Sequence, residues 1–190
     1  MVSLLLGLGN VGQKYARTRH NVGFWVLNNL VLDYRVHTFL STDEYHQAVL
    51  KKDESEIIMA QPNRYMNNSG FAAKALLQQY SLKPSEMLVI VDDFQLPIGA
   101  LRIRHAGSDG GHNGLASIIE QIGTDQFPRL RLGIGNVIKG SSVVDFVLGE
   151  FDEDEQIAVT KMIATASEAA LACVHEGVEK AMQKYNRNPV

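Results

Sequence analysis

Histidine, aspartate and asparagine recur in this sequence where apolar segments give way to glycine-rich ones. Asn10 follows the apolar residues 2–6, Asn67 follows a segment that ends at Gln61-Pro62, and Asp92 closes the apolar run MLVIV at 87–91. His20 and the pair His112-Asn113 stand just ahead of segments with helical spacing. Histidine is the side chain whose ordinary pKa lies nearest neutrality, so one facing a cleft can take a proton from water. A carboxylate on its second ring nitrogen would fix the tautomer and stabilise the imidazolium. Amides donate hydrogen bonds without titrating, which suits substrate positioning or a developing oxyanion. One histidine, one carboxylate and three amides make a general-base set with no nucleophile. Each residue alone reads as a cap or a turn; the functional reading requires that all of them converge.

A fold that makes them converge is legible in the order of elements. Apolar runs at 2–6 and 87–91 read as buried strands, and shorter strand signals lie at 36–40, 47–50, 57–60, 101–104 and 129–134. Helical spacing appears at 21–32 (Val22, Trp25, Val26, Leu30), 71–80, 115–122 and through the last third. There Ile157, Met162, Ile163, Ala166, Ala169, Ala170 and Cys173 are expected to form one buried stripe, behind an acidic run at 150–155 read as a solvated helix start. The expectation is one α/β domain over residues 1–190: a twisted, mostly parallel (mixed) sheet flanked by helices. The carboxyl ends of parallel strands share one edge, so Asn10, Asn67 and Asp92 would meet across a single crevice.

Other chemistries fit less well. GLGNVG at 7–12 matches the dinucleotide fingerprint, but the following QKYARTR is polar and no acidic residue ends a second strand. Ser108 lacks the flanks of a nucleophile elbow, and there is no HExxH or Walker pattern. A single cysteine, Cys173, excludes an internal disulfide. No metal or cofactor is expected. There is no signal-like or membrane-spanning stretch, which points to the cytoplasm and away from membranes. The net charge of −3 does not suggest a nucleic-acid binder, yet bases cluster at Arg102/Arg104, Arg129/Arg131 and Lys180/Lys184/Arg187.

Four segments carry a resemblance over nearly the whole chain: GLGNVGQKYARTRHNVGF, PNRYMNNSG, VDDFQLPIGALRIRHAGSDGGHNGLASI and FPRLRLGIG. In content, order and spacing they are similar to the bacterial-type peptidyl-tRNA hydrolase family. The resemblance implies a monomer that cleaves the ester between a peptide and tRNA. It implies that His20 is the general base, oriented by Asp92, with Asn10 beside it. Asn67 would bind substrate, and His112 and Asn113 would hold water and the tRNA 3′ end. Tyr15 and Tyr65 would line the cleft, and Asp93 would be a turn or surface residue. Arg102, Arg104, Arg131 and Lys139 are expected to meet tRNA phosphates. Two stretches depart from the family pattern: Asp109 puts an acid in the glycine loop, and NVIKG at 136–140 replaces a His-Pro-Gly stretch. The segment SSVVDFVLGEF at 141–151 still resembles the family's lid.

Overall fold

The computed structural model describes residues 1–36, 39–52, 55–137 and 140–186. Seven strands form one sheet: β1 (Leu4–Gly7), β2 (Phe39–Ser41), β3 (Tyr45–Lys52), β4 (Ser55–Pro62), β5 (Met87–Asp93), β6 (Leu101–Arg104) and β7 (Arg129–Gly133), in the order β2-β3-β4-β1-β5-β7-β6. The inner strands β4, β1, β5 and β7 run parallel, while β2, β3 and β6 are antiparallel at the two sides. The mixed sheet therefore keeps the shared carboxyl edge that convergence requires.

Strand β1 shows how the sequence builds two cores. Leu5 points to one face with Val26, Leu30 and Met162, whereas Leu4 and Leu6 point to the other with Ala73, Leu76 and Ile118. All three leucines are fully buried, each contributing about 1.5–3 kcal/mol of apolar burial. Helices α1 (Val22–Asp33) and α5 (Gln156–His175) cover the first face; α2 (Ser69–Gln79) and α3 (Asn113–Ile122) cover the second. Helix α4 (Val143–Leu148) precedes α5, and α6 (Val178–Tyr185) follows it. The segment Glu153–His175 is long and apolar enough to cross a membrane, but more than half of its most apolar stretch is buried inside this structure.

The glycines of GLGNVG serve packing here. A Cβ on Gly7 would come within 2.4 Å of the Gly23 carbonyl oxygen, and one on Gly23 within 2.5 Å of the Ile90 and Leu8 carbonyl oxygens. Glycine at both positions lets α1 lie directly on β1 and β5. That close approach brings the turn before α1 over the end of β5.

One expectation for the last third fails and another holds only in part. Ile157 is 73% exposed, and Val159 takes its place in the buried stripe. The acidic run is not wholly solvated: Asp152 and Glu155 form a capping box, and both Glu155 oxygens also accept from the guanidinium of Arg19, at 3.2 and 2.7 Å. Arg19 is 6% exposed, donates to the Ile134 carbonyl at 3.1 Å, and lies over the rings of Phe146 and Phe151. Removing one partner of a largely buried pair strands the other charge. Glu155→Gln is therefore expected to cost about 2–3 kcal/mol, read as a lower urea midpoint at unchanged m-value.

Candidate active site

Strand β5 runs one turn of the pleat beyond its apolar core, so Asp92 stays inside the sheet at its carboxyl edge, 4% exposed. His20 sits in a 3-10 turn, Arg19–Asn21, that leads into α1. No side chain caps α1, because that of Asn21, the N-cap residue, is spent elsewhere.

Asp92 Oδ1 faces His20 Nδ1 at 2.8 Å and His112 Nε2 at 3.0 Å, with the two ring centroids 4.9 Å apart. The protons can be assigned from the remaining contacts. His112 Nδ1 accepts from the backbone N–H groups of Gly114 and Leu115, at 3.1 and 3.3 Å, so its proton is on Nε2 and is donated to Asp92. His20 likewise donates Nδ1–H to Asp92, which leaves the Nε2 lone pair as its basic site. Among the described residues nothing is hydrogen-bonded to that nitrogen. Both nitrogens of His112 are engaged inside the protein, so this ring holds Asp92 and caps α3.

Burial alone would push the Asp92 carboxyl up. The two imidazoles outweigh it, through charge and hydrogen bonding, and hold it well below the usual carboxylate range. A depressed folded-state pKa contributes stability that is complete above the unfolded value, near 3.8, and is lost as pH falls through the folded one. The stability difference between the wild type and Asp92→Asn should thus be flat above about pH 5 and shift progressively below about pH 4, in urea melts across that range.

Asn10 closes the other side of the histidine turn. Its backbone N–H donates to Asn21 Oδ1 at 2.8 Å, and Asn21 Nδ2 returns a bond to the Asn10 carbonyl at 2.9 Å. The Asn10 side-chain oxygen accepts the Met66 N–H at 2.8 Å. That bond fixes the amide orientation and leaves Nδ2 as a donor with no partner among the described residues. Asn67 and Asn113 are exposed, the first in the turn Met66–Asn68 before α2 and the second at the start of α3. Tyr15 and Tyr65 meet edge to face at 6.1 Å, joining the loop after β1 to the loop after β4.

Register places four arginines on one face of the sheet's far side, with Arg102 opposite Arg131 and Arg104 opposite Arg129. They are not equivalent. Arg129 is buried, donates to the carbonyls of Gly107, Ser108 and Asp125, and stacks on Phe127, so it holds the glycine loop. Arg131 pairs with Asp93 at 2.7 Å. Arg102 and Arg104 make no ion pair among the described residues, and Arg104 and Arg131 line a hollow of about 260 Å³ beneath that loop. Lys139 lies outside the described residues. Asp93 is the turn residue expected, accepting the Gln95 N–H, but it is not at the surface: it is 5% exposed and also neutralises Arg131.

His20, Asp92 and His112 are close enough to suggest a metal cluster. Their contacts argue otherwise. The 2.8 and 3.0 Å separations are hydrogen-bond distances, and both ring protons they imply occupy the faces a cation would need.

The sequence reading missed two residues that hold the site. Asn21 clamps Asn10, and Arg19 ties the histidine turn to α5 and to the segment after β7. Both flank His20 in Arg19-His20-Asn21, and that adjacency was the available signal.

The fold and the pair at its edge define a class: an α/β protein with a carboxylate-oriented histidine at the carboxyl end of a mixed sheet. The family model described as peptidyl-tRNA hydrolase matches residues 4–190. A peptidyl-tRNA hydrolase of Sulfurihydrogenibium sp. is 42% identical, with all of both chains covered. One from Aquifex aeolicus is also 42% identical, covering 98% of this chain and 97% of its own. The crystal structure of peptidyl-tRNA hydrolase from Acinetobacter baumannii superposes with a TM-score of 0.91 at 32% identity, covering 99% and 96%. The chain belongs to the peptidyl-tRNA hydrolase family.

Proposed function

We propose that this protein hydrolyses the ester between a peptide, or an N-acyl-aminoacyl group, and the terminal ribose of tRNA. The observation that carries the reading is the His20–Asp92 contact, which leaves His20 Nε2 unengaged among the described residues, on the turn whose next residue, Asn21, is bonded to Asn10. Nε2 takes a proton from water as the oxygen attacks the ester carbonyl. The imidazolium so formed is stabilised by Asp92, itself held by His112. The amides of Asn10 and Asn67 donate to the tetrahedral oxyanion. On collapse, His20 returns the proton to the ribose oxygen, giving a free tRNA hydroxyl and a peptide acid that loses its remaining proton to solvent. Asn113 positions the water and the acceptor end.

Phosphate contacts fall to the basic face, at Arg102, Arg104 and Arg131, and Lys139, eight residues after Arg131 in sequence, is the further base assigned to the tRNA. Four guanidiniums on one face repel each other, and among the described residues Arg102 and Arg104 have no ion-pair partner, so phosphate oxygens would be welcome there. Tyr15 and Tyr65 offer ring faces to the terminal adenosine. The protein acts as a cytoplasmic monomer without a metal.

The test is release of N-acetyl-aminoacyl groups from tRNA by the purified protein in the presence of a chelator. Multiple turnovers are expected. Tight tRNA retention without release would make it an RNA-binding relative and end the enzymatic reading.

A further inference from the structure

A groove leads away from Asn10 along α1. Its first part, about 400 Å³, is walled by Asn10, Asn21, Phe24, Asn28 and Asn63. At Asn28 and His46, which line both parts, it opens into a second hollow of about 330 Å³ between α1 and the β2–β3 hairpin. The two parts differ in chemistry. In the first, Asn10 Nδ2, Asn28 Nδ2 and Asn63 Oδ1 have no partner among the described residues, so two donors and an acceptor remain for the C=O and N–H groups of any peptide backbone. Gln61 steadies this wall, donating to the Phe24 carbonyl and to Asn28 Oδ1. The second has a floor of Leu27, Ala48 and Met59, all buried, and a rim of Val31, Phe39 and Leu40.

Phe39 and Leu40 are 63% and 45% exposed on an edge strand, where large apolar side chains are a liability unless something covers them. The continuity of the hollow with the Asn10 end of the cleft says what does. From Asn21 to Val31 the groove follows ten residues of α1, about 15 Å. An extended peptide spans that length in about four to five residues.

We propose that the apolar hollow between α1 and the β2–β3 hairpin is a subsite for an apolar side chain of the substrate's peptide, about four to five residues upstream of the ester. The inference rests on the reading that the ester lies beside Asn10 and His20. Backbone recognition near the ester leaves the enzyme general. The remote hollow adds affinity for long peptides carrying an apolar residue at the right distance, the kind of chain that would otherwise sequester tRNA. A second copy of this chain is a poorer occupant, because the exposed apolar rim is far smaller than the roughly 800 Å² per partner of a standard interface.

The test compares N-acetyl-hexapeptidyl-tRNAs that carry leucine or aspartate at each of the third to sixth residues from the ester, with N-acetyl-aminoacyl-tRNA as the short reference. Leucine at the fourth or fifth residue is expected to raise kcat/KM about tenfold over aspartate, mainly through KM. Val31→Glu should bring that ratio close to one. Phe39→Ser, at an exposed position where folding is not at stake, should lower it in the same direction. Equal rates for leucine and aspartate at every position, or a preference that survives both variants, overturns the subsite. A concentration-dependent dimer dissolved by Val31→Glu also overturns it and gives the hollow to a second copy. No release from the short reference would instead overturn the underlying functional reading, because that substrate does not reach the hollow.

Discussion

Asp92→Asn is expected to lower kcat by about 10³–10⁴ while leaving tRNA affinity within a few-fold of the wild type. The side chain keeps its size, so the effect isolates charge and proton placement. Asp92 Oδ1 receives two N–H groups, from His20 and His112. An asparagine that keeps its oxygen there preserves both bonds but cannot stabilise an imidazolium. One that turns its NH2 toward the rings forces His20 into the other tautomer, with the proton on Nε2 and the basic site lost. His112 cannot change tautomer in compensation, because its Nδ1 is held by two backbone N–H groups at the start of α3. Single-turnover rates with excess enzyme measure the effect apart from binding. A variant within tenfold of the wild type would remove Asp92 from the mechanism.

His20→Ala should cost about 10²–10⁴ in kcat, again with little change in tRNA binding. No neighbour can stand in for it. Both nitrogens of His112 are engaged, Asp92 is buried beneath the rings, and Cys173 is buried in the core among α5 residues, where burial pushes its thiol up to about 12. What remains would be the orientation and oxyanion stabilisation proposed for the Asn10 and Asn67 amides. A loss confined to KM would place His20 in substrate binding rather than proton transfer.

Much of the fold was legible because buried strands and amphipathic helices leave local patterns. MLVIV became β5 and LRIR became β6 at its expected bounds. Ile157 was misread for a geometric reason. It lies two residues before Val159, about 200° around the helix, so it could not share the stripe through Met162, Ala166 and Cys173. The contact between His20 and Asp92 was legible because each stands at the end of a patterned segment, where strand and helix-entry loops meet. The site was illegible where function depends on pairing across the sheet. Asp93 looked like a turn residue beside Asp92, since its partner Arg131 is set by the β5–β7 register and by no local pattern. Arg129 and Arg131 looked like one basic patch, yet one is buried under carbonyls and the other faces an aspartate. Arg19 and Glu155 are 136 residues apart, and only the packing of α5 against α1 brings them together.

The central claim is that water activated by His20 cleaves the ester with no covalent intermediate. Its most direct test is a rapid acid-quench series with enzyme in excess over N-acetyl-aminoacyl-tRNA, reading the released acid and the intact mass of the protein together, for the wild type and His20→Ala. Release by the wild type at an unchanged protein mass is expected, and almost none by the variant. An acyl adduct on the protein, or undiminished release without His20, would contradict it.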